Sequence, residues 1–92
     1  MALDGADLSQ LDELTRRFAG WSGQVQTLKS EITGVVNAMV GVSWTGLVAT
    51  NFRDQWNGEF AATLVRLADA LEHQSQFVAA KREQIDLVTN RL

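Results

Sequence analysis

From Leu11 onward, apolar side chains return at Leu11, Leu14, Phe18, Trp21, Val25, Leu28, Ile32, Val35, Met39 and Val42, in steps that alternate between three and four. That is the a/d spacing of a helix with one apolar seam, sustained for about four and a half heptads. It predicts a first helix over about 8–41. Ser9 suits its N-cap, and Asp12 and Glu13 suit the positive end of the helix. A second seam, Leu64, Leu67, Leu71, Val78, Ile85, Val88 and Leu92, predicts a second helix over about 47–90. Gln74 and Lys81 fall at seam positions of that frame, so the seam weakens and the end is expected to fray.

The periodicity breaks at Gly41-Val42-Ser43-Trp44-Thr45-Gly46, close to the middle of the chain. Gly41 suits the position after a helix, where a positive φ costs glycine little. Ser43 or Thr45 can cap the next helix. A turn over about 42–46 between two long helices makes an antiparallel helix-turn-helix hairpin, all-α and a single domain over 1–92 with short frayed ends. A hairpin of this size buries too little surface alone, so pairing into a four-helix bundle is expected.

Every tryptophan is followed two places later by glycine, at Trp21/Gly23, Trp44/Gly46 and Trp56/Gly58. Trp21 takes a seam position, where burial is expected, and Trp56 lies within the second helical run. Only Trp44 and Gly46 fall at the turn, as a turn motif. Val48, Phe52, Trp56 and Phe60 step by four, which carries Phe52 about 120° around the helix from Leu64. Phe52 and Trp56, with Trp44 of the opposite hairpin, therefore form a candidate composite partner surface at the end of the bundle. The other reading is that these aromatics simply cap the core. Gly20 and Gly23 interrupt the first helix, either as a place where a partner helix approaches closely or as positions without a packing role.

Composition removes several classes of chemistry. The chain of 92 residues contains no cysteine, so disulfides, thiol catalysis and cysteine-ligated zinc are excluded. A net charge of −3 argues against nucleic acid or anionic lipid as a main ligand. The apolar runs are too short to span a bilayer, so no stable membrane insertion is expected. The acidic start, Met1 to Asp7, does not resemble a secretory signal peptide. His73, the single histidine, has no second histidine or serine arrangement beside it and reads as a surface residue. Glu31, Asp54, Glu59, Asp69 and Glu72 show no pairing suited to acid–base work, and no glycine-rich phosphate loop is present. No cofactor and no enzymatic activity are expected.

A short chain, all-helical patterning, Trp44-Thr45-Gly46 at a central turn and no signal peptide together resemble the WXG family, the ESAT-like small helical-hairpin proteins of bacterial type VII (ESX-like) secretion. The resemblance covers the whole chain, with Ala49, Phe52 and Trp56 at the small and aromatic positions of the second helix. It implies a secretion substrate or co-substrate, paired as a homodimer or as a heterodimer with another WXG-like protein. It also implies recognition by the secretion ATPase, and release by a signal-peptide-independent route after synthesis in the bacterial cytoplasm. Other readings of the same hairpin are the N-terminal targeting domain of a larger secreted toxin and a non-exported adaptor coiled coil. The chain departs from the family in one respect. It has no tyrosine for the Tyr-x-x-x-Asp/Glu export signal, and Phe77, the nearest aromatic, is followed four places later by Lys81. The expectation is that a partner or a further segment carries that signal.

Overall fold

The computed structural model describes residues 7–90, with side chains through Val88. Helix α1 runs Leu8–Met39 and helix α2 Leu47–Gln55. A π-helical turn at Trp56–Phe60 leads without a break into helix α3, Ala61–Asn90. Among the described residues there is no strand, and α1 packs along α3. The result is a rod with extents of 68 × 17 × 16 Å. Leu92 and the expected frayed ends lie outside the described residues.

The start of α1 differs from expectation. Asp7, not Ser9, is the N-cap: its carboxylate accepts from the Ser9 amide at 3.0 Å and the Gln10 amide at 3.4 Å. Ser9 adds its own hydroxyl to the same oxygen at 2.7 Å. A carboxylate reaches the free amides of the first turn from the position just before the helix, which Ser9, already inside it, does not occupy.

α1 stops at Met39 because Val40 turns extended and Gly41 takes φ +89°. The Met39 carbonyl then accepts from the amides of Val42, Ser43 and Trp44, and the Gly41 amide donates to the Trp44 carbonyl at 2.9 Å. Gly46 takes φ +105° and is the N-cap of α2. Its carbonyl accepts from the Thr50 amide at 3.1 Å and the Thr50 hydroxyl at 3.2 Å. Both positive φ values lie where an L side chain is strained, so both positions require glycine.

The second helical run is not one regular helix. The π-turn places one extra residue between Trp56 and Ala61, whose amide reaches back to the Trp56 carbonyl. Ala49 and Trp56 are buried a heptad apart, Ala61 follows five residues on, and Ala68 and Ser75 then resume the heptad. The inserted residue takes up part of the angular offset that a continuous helix would leave between Phe52 and Leu64. Trp56 and Ala61 therefore both face α1.

Candidate functional site

The buried line of α1 is offset from its apolar seam. Positions turned toward α3 include Leu11, Thr15, Phe18, Ser22, Val25, Lys29, Ile32 and Val36, buried or half-buried. One arm of the expected seam, Leu11, Phe18, Val25 and Ile32, belongs to this line. The other arm does not: Trp21, Leu28, Val35 and Met39 are exposed, and Leu14 is half-buried. α3 repeats the arrangement. Leu64, Leu71, Val78 and Ile85 turn toward α1 with Ala68 and Ser75, whereas Leu67 is exposed.

Small side chains bring the two backbones together. Ser22 Oγ donates to the Ala68 carbonyl at 2.8 Å, and Ser75 Oγ donates to the Thr15 carbonyl at 2.9 Å. At the open end, Arg82 bridges Asp12 at 3.0 Å and Asp86 at 3.4 Å. Toward the turn, Val36, Val40, Ala49 and Trp56 form the buried cluster, flanked by Ile32 and Leu64. Trp56 is 8% exposed and its indole donates to the Thr33 hydroxyl at 2.9 Å, while Trp21 is 39% exposed. The expected burial of Trp21 within the chain is thus corrected: its position faces away from α3, and Trp56 is the core tryptophan. Burial also removes Trp56 from the expected composite surface. Trp44 and Phe52 remain there, both partly exposed, with ring centroids 5.4 Å apart.

The exposed arms share one side of the rod. In each helix they lie about 60° to one side of the seam residue three positions earlier. Because α1 and α3 run in opposite directions, that rotation carries both arms to the same broad face. The face carries Leu14, Trp21, Leu28 and Val35 from α1, Phe60 from the π-turn and Leu67 from α3. Leu28, Val35 and Leu67 are 48%, 58% and 46% exposed, values of side chains with one side covered and the other open. Phe18 meets Trp21 edge-on at 5.4 Å and so links the inner line to this face.

The opposite face is polar. Asp12, Arg82 and Asp86 form their ion pairs there, and Gln26, Lys29, Ser30 and Asp69 line a shallow groove of about 280 Å³ over Leu64, Val65 and Ala68. The two faces differ in kind: one carries hydrogen-bonding and charged groups, the other large apolar side chains. Gln74 and Lys81 continue the α3 side of the apolar face toward the open end, where the Lys81 ammonium lies 5.3 Å from the Phe77 ring centroid.

No cluster of histidine, cysteine and carboxylates suited to a metal occurs among the described residues. The described helices include none long and apolar enough to cross a membrane. Sequence periodicity had found the apolar positions but not which arm turns inward. The serines at positions 22 and 75, small residues one place beyond the seam positions Trp21 and Gln74, carry that signal, since small residues let two helix backbones approach. Comparison with known proteins finds no match: no family model, no curated protein and no solved structure matches the chain significantly.

Proposed function

We propose that this protein is a helical-hairpin partner protein that pairs through its apolar face, and that it serves type VII (ESX-like) secretion as a substrate or co-substrate. The pairing rests on one observation: Trp21, Leu28, Val35, Phe60 and Leu67 are large apolar side chains on one side of the rod that the chain itself leaves exposed. A second copy covers it best. The face occupies the middle of the rod, so a two-fold axis through its centre lays one apolar strip antiparallel on the other, in a four-helix bundle.

The area is sufficient. From Leu14 to Val35 the helix rises about 32 Å, and the rod is 17 Å across. A pair would bury roughly 1,000 Å² in total, the size of a weak, reversible interface rather than a tight one. Arg17, Gln24 and Glu31 border the strip and would supply a polar rim.

The secretion role is carried by the WXG resemblance, through Trp44 and Gly46 at the turn. The conformation of Gly46 gives that motif a physical content: the chain can leave the turn and enter α2 at φ +105° only with glycine there. The protein acts in this reading by binding, as one member of a folded pair presented to the secretion ATPase, and not by catalysis.

The test is export from a bacterial host whose type VII system also supplies the partner or segment that carries the Tyr-x-x-x-Asp/Glu signal this chain lacks. The protein should reach the medium at its full length, and deletion of the secretion ATPase should abolish this. Leu28→Asp, which puts a charge in the apolar face, should abolish pairing and export together. Export that survives loss of the ATPase would refute the secretion role, while leaving pairing to be judged by mass.

A further inference from the structure

The border of the apolar face carries opposite charges at equal distances from its middle. Three residues after Leu14, Trp21 and Leu28 stand Arg17, Gln24 and Glu31, one heptad apart and all exposed. Arg17 therefore lies about 10 Å along α1 to one side of Gln24, and Glu31 about 10 Å to the other. The apolar strip from Leu14 to Val35 has its middle between Trp21 and Leu28, within one residue of Gln24. The bond from Ser22 to Ala68 places Leu67 of α3 at nearly the same level, so both helices share that centre.

These border groups have bonding capacity to spare. Neither Gln24 nor Glu31 makes a side-chain hydrogen bond or ion pair among the described residues. Arg17 gives its Nε to Glu13 at 3.0 Å. A guanidinium has further N–H groups to offer a second carboxylate.

A two-fold axis across the rod at Gln24 turns the second copy end for end and lays α1 on its α1. Arg17 of each copy then meets Glu31 of the other. The Gln24 carboxamides, each both donor and acceptor, meet at the axis. A second copy with its turn at the same end would place its α3 on α1 instead. The matching border of α3, three residues after Phe60, Leu67 and Gln74, is Thr63, Ala70 and Phe77, which offers neither charge a partner.

We infer that Arg17 and Glu31 select a second copy of this chain as the occupant of the apolar face and fix it antiparallel, through symmetry-related ion pairs. The inference rests on pairing through that face and adds which partner and which direction. Apolar burial is non-directional, and an interface of roughly 1,000 Å² is weak, so charges at its border decide between alignments. A different protein would need an acidic group opposite Arg17 and a basic one opposite Glu31, at the same spacing. This chain supplies both itself.

Charge exchange in the full chain tests this, with association measured by sedimentation equilibrium and helix content by circular dichroism. Arg17→Glu and Glu31→Arg each set like charges together on both sides of the axis and should associate about tenfold more weakly than the native chain. The double variant restores opposite charges and should associate within about threefold of the native chain. A mixture of the two single variants should form mixed pairs in preference to either self pair. Added salt should shrink all these differences. Arg17→Glu also faces Glu13, so if it loses helix content, Glu31→Arg must pair more weakly than Glu31→Gln. Native pairing that neither charge reversal weakens overturns the inference and leaves pairing through the apolar face standing. Weakening that the double variant, with helix content intact, does not relieve has the same meaning. A native chain that stays single overturns the inference and the pairing together.

Discussion

Ser22 donates its hydroxyl to the main-chain carbonyl of Ala68 at 2.8 Å, joining α1 to α3 where the two backbones lie close. One heptad toward the open end the roles reverse, and Ser75 of α3 donates to the Thr15 carbonyl of α1 at 2.9 Å. The two bonds fix the axial register of the helices, because sliding by one residue would break both. Each serine replaced by alanine should cost about 1 kcal/mol of stability. The two losses should nearly add, since one heptad separates them by about 10 Å. Ser22→Leu should cost about 1–3 kcal/mol by forcing the backbones apart. Urea denaturation of the single and double variants measures these values.

The two tryptophans should separate folding from assembly. Trp56 fills the core near the turn, so Trp56→Ala should cost about 3–5 kcal/mol, in the range of large aromatic truncations. Trp56→Phe should lose less, keeping most of the packing but not the bond to Thr33. Trp21→Ala should leave helix content in place and weaken pairing. Circular dichroism and solution mass, taken on the same samples, distinguish the two effects.

Glycines should divide the same way. Gly46→Ala forces a side chain into φ +105° and should cost about 1–2 kcal/mol. Gly20 and Gly34 lie within α1 with open space where a Cβ would stand. Alanine at either should stabilise by about 0.5–1 kcal/mol through helix propensity. Thermal melting of the three variants checks the sign at each position.

Acid should loosen the start of α1. The Ser9 hydroxyl, then the amides of Gln10 and Ser9, hold the Asp7 carboxyl below the ordinary aspartate value. A folded pKa below the unfolded one means that the cap contributes fully above the ordinary value. Its contribution fades as pH falls through the lower, folded value. Asp7→Asn keeps a capping oxygen without titrating. The native chain should therefore lose melting temperature relative to Asp7→Asn as pH drops through that window, and the two curves should run parallel near neutrality.

The sequence made the helices and the turn visible because the three-four step of apolar residues breaks only near Gly41. It also exposed Gly41, whose positive φ follows from its place after a helix, but not that Gly46, rather than Ser43 or Thr45, is the N-cap of α2. The inward arm was not visible. Leu14, Trp21, Leu28 and Val35 are as apolar as Leu11, Phe18, Val25 and Ile32, and periodicity alone ranks them equally. What decides between them is the size of the neighbours: Ser22, Ala68 and Ser75 permit close approach, so the helices meet there and the larger residues turn outward. The π-turn at Trp56 was hidden for a related reason. Steps of four through Val48, Phe52, Trp56 and Phe60 fit a regular helix locally, and only the demand that Trp56 and Ala61 both face α1 requires the extra residue.

The most direct test of pairing through the apolar face is sedimentation equilibrium of the purified chain, native and Leu28→Asp, over a wide range of concentration. The native chain of 10.1 kDa should sediment as twice that mass and dissociate on dilution. Leu28→Asp should stay helical and sediment as a single copy, since the charge would be buried without a partner only in the pair. A native chain that remains folded and single at the highest concentration, with the same mass as Leu28→Asp, would contradict the account.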